Sequence, residues 1–245
     1  IFNLIFSETI SGYQLAKMVD DKNQPKSSKS EISMILMNLK KDRTKTKEMI
    51  SISKNDGDKM LIFFKTPKRD KGIGFLKIEN DDNDKLSLFI PKLKKVRRIS
   101  SSNQSDSFMG SDLSYEDMTS RSLVNNDYSR LDDENINGLD CFVIEVRPNS
   151  ILKSSYSKHK IWIDKENIYI IKEESYDKRG ELKKEKSFSY IKINNYDIMS
   201  KIFVKDVQKD HKTEISFEEV KVDIEMNEKI FQEKSLKRLP LYNIN

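Results

Sequence analysis

Chemistry in a protein rests on a few residue types, and this 245-residue chain is sparing with them. His159 and His211 are the only histidines, 52 positions apart. A two-histidine metal centre needs carboxylates that converge on it, and no spacing here indicates such convergence. Each histidine therefore reads as an exposed polar residue at a strand end. Cys141 is the only cysteine, so neither an internal disulfide nor a cysteine-built zinc site can form. Its neighbours Phe142-Val143-Ile144 read as a strand, which makes the thiol a small buried hydrophobe. Asp140, Glu145, Asp164 and Glu166 could supply a carboxylate pair for acid–base work. In a chain with 40 acidic residues, such pairs are expected on wet strand faces and decide nothing. No GxSxG elbow, phosphate-binding loop, HExxH or GxGxxG occurs. Gly72-Ile73-Gly74 lacks the third glycine and lies in a β pattern, where it marks a bulge or close packing. No motif thus stands behind a hydrolase or other enzyme, and no spacing points to a metal or cofactor site.

Charge narrows the partners. The chain holds 45 Lys+Arg against 40 Asp+Glu, a net charge of +5 with both signs mixed. A nucleic-acid binder needs clustered cations, so that class is set aside. The strongest basic run is PKLKKVRRIS, with Lys92, Lys94, Lys95, Arg97 and Arg98. It reads either as the solvated face of an edge strand, where Lys discourages pairing, or as a docking patch. Docking would take anionic lipid headgroups or an acidic partner, with peripheral membrane contact. No segment approaches the roughly 20 apolar residues of a membrane span. Ile1–Phe6 is a short apolar start that reads as the end of a signal peptide's apolar region, ahead of the cap-like Ser7-Glu8-Thr9. The first turn of an amphipathic helix is the other reading. Residues 1–10 are thus taken as a leader remnant or extension, and 11–245 as one domain.

The elements that position these residues follow from periodicity. Ser11 to Asp20 has helical spacing at Tyr13, Leu15, Ala16 and Val19. Lys22 to Ser30 is a polar connector, after which the period becomes two. Strands are predicted at Ile50–Ser53, Met60–Phe64, Gly72–Glu79, Leu86–Ile90 and Val96–Ile99. Asn55-Asp56-Gly57 supplies a hairpin turn, and Asn80–Asp84 another. A long polar connection runs from about Ser100 to Asn137. Beyond it come Leu139–Arg147, with Phe142, Ile144 and Val146 on one face, then Lys160–Asp164, Ile168–Glu174, Leu182–Ile193, Lys201–Val207 and Thr213–Val222. The tail from Glu228 to Leu239 carries Ile230, Phe231 and Leu236. About eleven strands with regular turn signals give an antiparallel meander. One face is apolar and the other rich in Lys and Glu, so one side should be buried and the other wet. Only about one good helix is available to cover the apolar face. Either the sheet closes on itself or it leaves a greasy cavity of the kind that binds ligands. Phe63, Phe75, Leu88, Phe142, Ile144 and Trp162 are the candidate lining.

Inside the long connection, SFMGSDLSYEDM (Ser107–Met118) sets Phe108, Met109, Leu113 and Tyr115 among polar residues. These four read either as a cluster that pins the loop to the core or as a lid over the apolar face. Gly110 permits a sharp turn, and Ser111 or Asp112 would cap a short helix holding Tyr115 and Met118.

The stretches FFKTPKRDKGIGFLKI and LSLFIPKLKKVRRISSSNQSDSFMGSDLSYEDM resemble the LolA-like outer-membrane lipoprotein-sorting proteins, in particular the branch found beside RND-type (MMPL) exporters. Pro67, Gly72, Pro91, Val96-Arg97-Arg98-Ile99, Phe108-Met109-Gly110-Ser111-Asp112 and Tyr115-Glu116-Asp117 carry the likeness. NGLDCFVIEVRP and HKIWIDKENIYIIKEESYD support it as paired central strands, and the likeness spans about Ser11 to Leu239. The resemblance implies a mainly β fold with few helices: a curved antiparallel half-barrel whose concave face the helices cover. It implies an exported, periplasmic, monomeric carrier of lipid or lipoprotein acyl chains that is not an enzyme and needs no metal or cofactor. Such a carrier would move cargo between membranes or to and from an inner-membrane transporter of the RND/MMPL or ABC type. Arg43, Arg69, Arg97 and Arg98 stay open as the family's gating arginine. The rival reading is an accessory module that docks on an exporter through Lys92–Arg98 without holding cargo.

Overall fold

The computed structural model describes residues 10–80 and 84–237. The readings for Ile1–Thr9, for the middle of the Asn80–Asp84 turn and for the chain beyond Lys237 lie outside the described residues. One α-helix, α1 (Gly12–Asp20), precedes thirteen strands: β1 (Ser27–Asn38), β2 (Arg43–Lys54), β3 (Lys59–Thr66), β4 (Gly74–Ile78), β5 (Lys85–Ile90), β6 (Lys95–Ile99), β7 (Asn126–Ile136), β8 (Leu139–Pro148), β9 (Tyr156–Asp164), β10 (Ile170–Asp177), β11 (Leu182–Ile193), β12 (Tyr196–Asp206) and β13 (His211–Val222). The strand order is β6-β5-β4-β3-β2-β1-β13-β12-β11-β10-β9-β8-β7, an open antiparallel sheet. The mainly β fold class with few helices is as expected, with one correction: among the described residues there are thirteen strands rather than about eleven, beside one α-helix. The two additions are β1 and β7, the second lying inside the expected long connection.

Local chemistry explains the boundaries. Ser11 caps α1 through a reciprocal box: Gln14 N–H donates to Ser11 Oγ, and Ser11 N–H donates to Gln14 Oε1. Between β2 and β3, Asn55, Asp56 and Gly57 take φ of 51°, 54° and 87°, the left-handed turn that the Asn-Asp-Gly signal predicts.

The chain divides into two compact units. Unit 1 takes the described residues up to Lys22 together with Arg121–Glu181, and holds α1 and β7–β10. Leu15 of α1 is buried with Ile144, Val146, Ile161 and Ile163. Gly12 is required by this contact, because a Cβ there would sit 2.8 Å from the Ser129 carbonyl carbon on β7. On the opposite face Cys141, Val143 and Trp162 are buried together.

Unit 2 takes Asn23–Ser120 and the chain from Leu182, and holds the other nine strands. Its first apolar face joins Ile32, Met34 and Leu36 of β1 to Met49, Ile62, Phe64, Phe75, Leu86, Leu88, Val204 and Ile215. Its second face, expected to be wet, is also buried over β2–β5: Ile50, Ile52, Leu61, Phe63, Leu76 and Phe89 lie under Ile230, Phe231 and Leu236 of the tail. The reason is the tail itself, which crosses so closely that a Cβ on Gly74 would lie 2.7 Å from the Leu236 carbonyl oxygen. Close packing, rather than a bulge, explains that glycine.

Candidate functional site

The first apolar face of unit 2 is covered by the segment after β6. Its backbone folds on itself: Tyr115 N–H donates to the Asp106 carbonyl at 3.1 Å, Glu116 N–H to Gln104 at 2.8 Å and Phe108 N–H to Leu113 at 2.8 Å. The tip turns at Met109 and Gly110, with φ of 53° and 83°. Nothing lies within 4 Å of a Cβ built on Gly110, so it is the left-handed backbone, not space, that favours glycine there.

This hairpin drives Phe108, Leu113 and Tyr115 into the sheet, where all three are buried. The Phe108 ring meets Phe75 edge-on at 5.1 Å between centroids and Tyr115 at 5.8 Å, with Phe64 at 6.3 Å. Such pairs add about 0.5–1.5 kcal/mol beyond area burial. Met109 and Met118 pack at the margin, half-exposed.

Buried polar groups fasten the same segment. Asp117 lies between Lys184 and Lys186 of β11, each with its Nζ 2.6 Å from a carboxylate oxygen, and all three side chains are at most 5% exposed. Burial alone would push the Asp117 carboxyl up. The Lys186 and Lys184 ammonium groups outweigh it and hold the carboxyl well below the usual carboxylate range. Burial meanwhile lowers Lys184 by disfavouring its charged form, and the neighbouring Lys186 charge acts in the same direction. Asp117 also accepts from Ser114 N–H and Oγ, both at 2.8 Å. This corrects the expected cap: Ser111 Oγ instead donates to the Phe108 carbonyl within the turn. Asp112 accepts from His211 Nδ1 at 2.7 Å and from Thr213 Oγ1 at 2.6 Å. Lys47 Nζ donates to the Met109 carbonyl at 2.7 Å and lies 2.7 Å from Asp70 Oδ2. Leaving any of these charges buried and unpartnered would cost several kcal/mol.

The other candidate lining residues separate. Phe75 and Leu88 share the face covered by the hairpin, whereas Phe63 points to the tail side. Phe142 and Ile144 pack on the α1 side of unit 1, and Trp162 on the opposite side, where its Nε1 donates to Glu134 at 2.8 Å. Only Phe75, Leu88, Phe108, Met109, Leu113 and Tyr115 therefore meet at one place. Period-two alternation places residues on a face, but it does not tell which face a given segment will cover.

The histidines depart from expectation. His159 is buried, not exposed: its Nδ1 lies 3.0 Å from Ser175 Oγ, whose hydroxyl donates to Glu173 Oε1 at 3.1 Å. Arg121 holds the same carboxylate with a two-pronged pair. Ser, His and Glu suggest a hydrolytic trio by type. Ser175 is fully buried, however, and the carboxylate crowds the same Nδ1 at 3.2 Å, so the group builds a polar core instead. His211 does stand at a strand end, but facing Asp112 rather than solvent. Cys141 is buried, as expected, and burial pushes its thiol up. Arg43, Arg69, Arg97 and Arg98 are all exposed; Arg97 stands opposite Leu88 at the margin of the hairpin-covered face, near Tyr115, whereas Arg98 turns to the tail. Lys92, Lys94, Lys95, Arg97 and Arg98 lie exposed on or beside β6, the end strand of unit 2.

A family model described only as an uncharacterized protein matches residues 56–238. A domain described as an outer membrane lipoprotein-sorting protein, from Vibrio parahaemolyticus, is 30% identical over 93% of this chain and 98% of its own, with a TM-score of 0.87. A DUF1329 family protein from Desulfovibrio piger is 28% identical over 92% and 97%, with a TM-score of 0.86. A LolA superfamily protein from Nitrosomonas europaea shares the fold at 17% identity and a TM-score of 0.74, over 93% of this chain and 100% of that one. No curated protein matches the chain. Among the described residues no helix is long and apolar enough to cross a membrane.

Proposed function

We propose that this chain, which belongs to the family of outer-membrane lipoprotein-sorting proteins, is a periplasmic carrier of lipid or lipoprotein acyl chains. It acts by binding and not by catalysis. It hands cargo between membranes or to and from an inner-membrane transporter, a partner class that rests on the sequence resemblance alone. The observation that carries the reading is the cover on unit 2: an irregular hairpin, not a strand or an α-helix, occupies the apolar face. In this reading the hairpin is a lid, and cargo takes the places of Phe108, Leu113 and Tyr115 against Phe75 and Leu88.

Magnitudes permit the exchange. Exposing those three side chains would cost roughly 1.5–3 kcal/mol each, while each buried methylene of a cargo chain returns about 0.8 kcal/mol. A chain of about ten methylenes therefore offsets the displaced hairpin, and ordinary membrane acyl chains are longer. The polar fastenings set the remaining cost and return the lid to its place once cargo leaves.

Native mass spectrometry of freshly purified protein should reveal a co-purified lipid mass. Delipidated protein should then bind a fluorescent acyl lipid saturably. Absence of saturable binding would end the carrier reading.

A further inference from the structure

The basic run on β6 has a second property besides charge: it lies on an open sheet edge. β6 pairs with β5 alone, in the register Leu86↔Ile99, Ser87↔Arg98, Leu88↔Arg97, Phe89↔Val96 and Ile90↔Lys95, and ends the strand order. Among the described residues its other side makes no ladder. A strand with one neighbour turns the N–H and C=O groups of alternate residues outward, where they can accept another strand. Unlike many edges, this one carries no bulge in its five paired positions. By contrast β7, which ends unit 1, breaks register between Leu131 and Glu134 and carries Asp132, Asp133 and Glu134 there. A bulge of that sort protects an edge from pairing.

Charge decides which strand β6 accepts. Five cations lie between Lys92 and Arg98 with no acidic residue among them. Arg98 is engaged, with its Nε 2.8 Å from Glu233 Oε1. Lys92, Lys94, Lys95 and Arg97 are exposed and enter no ion pair among the described residues. Side-chain alternation puts Lys95 and Arg97 on the face of Ile90 and Leu88, and Arg98 on the tail side. Cations thus flank the edge on both faces. They repel a second copy of the same edge and favour an acidic chain.

From the open ladder and its cations we infer that β6 is a docking edge for an acidic, extended polypeptide segment, which adds to unit 2 as a further antiparallel or parallel strand. Main-chain hydrogen bonds would supply the geometry and Lys92, Lys94, Lys95 and Arg97 the choice of partner. This inference does not depend on the carrier reading, since it needs neither movement of the hairpin nor cargo beneath it.

The test uses the full chain and a synthetic peptide of alternating Glu and Val, labelled for fluorescence anisotropy at low salt. Binding should be saturable and should protect the amides of Lys95–Ile99 from hydrogen exchange. The same peptide with alternate amides N-methylated keeps its charge but cannot pair as a strand, and should bind about tenfold more weakly or worse. Lys95→Glu with Arg97→Glu should give a similar loss. Both sites are exposed, and an unchanged thermal melt would show that the fold survives. Equal binding of the methylated peptide would overturn the inference in favour of plain charge attraction. So would binding to phosphatidylglycerol vesicles without peptide binding, or self-association of the protein at the concentrations used.

Discussion

Unit 2 has two covers, and they are built on opposite principles. The hairpin over the first face brings its charges inside: Asp117 between Lys184 and Lys186, Asp112 against His211, Lys47 at the Met109 carbonyl. The tail over the second face brings mainly apolar groups inside and keeps its ion pairs toward solvent, Arg98 with Glu233, whose carboxylate also accepts from the buried Ser87 hydroxyl, and Lys59 with Glu228. Buried pairs are poor stabilisers compared with apolar packing of the same volume, yet breaking one is costly. The tail's design therefore suits a permanent cover. The hairpin's design gives up packing strength for a defined position, which suits a segment that leaves and returns.

The comparison can be broken most forcefully at Asp117. Asp117→Ala leaves Lys184 and Lys186 buried without their shared carboxylate and should cost about 3–5 kcal/mol in urea denaturation. Replacing all three together, Asp117→Leu with Lys184→Met and Lys186→Met, should recover most of that loss. A loss no larger than about 1 kcal/mol for Asp117→Ala would mean that the charges are not buried as described.

Next comes Leu236→Ala on the tail, which removes a fully buried side chain and should cost about 2–5 kcal/mol. It should do so with no change in acyl-lipid binding, whereas Phe108→Ala should change both stability and binding. A tail variant that abolished lipid binding would erase the distinction between the covers.

Acid separates the two designs further. The Asp117 carboxyl titrates lower in the folded protein than in the unfolded chain. Its contribution is therefore present above the unfolded carboxylate value of about 4 and is lost as pH falls below it. Unfolding midpoints between pH 5 and 2 should fall more steeply for the natural protein than for the triple apolar variant. Parallel curves would contradict the assignment. The smallest effect belongs to Glu233→Gln at the tail, whose ion pair with Arg98 is solvent-screened. Its denaturation midpoint should match the natural protein's within error.

Much of this was legible in the residues. Leu182–Ile193 reads as a strand between turn signals and is one, residue for residue, in β11. Phe108, Leu113 and Tyr115 stand out as apolar residues in a polar stretch, and they reach the core. What hid was anything that depends on distant pairing. Lys184 and Lys186 look like the wet face of a strand, because their partner lies 67 and 69 residues away. His211 and Asp112 are 99 residues apart. β7 hid because NDYSRLDDENI has no apolar alternation, as befits a strand with only Asn126 buried. The tail's apolar residues were visible, but nothing local said which face they would cover.

The account rests on the hairpin moving aside for cargo, and hydrogen exchange across residues 104–120 during titration with an acyl lipid tests this directly. The account predicts saturable binding, with faster exchange of the hairpin amides and unchanged exchange under the tail. Lipid binding that left the hairpin's protection intact, or no binding at all, would contradict it.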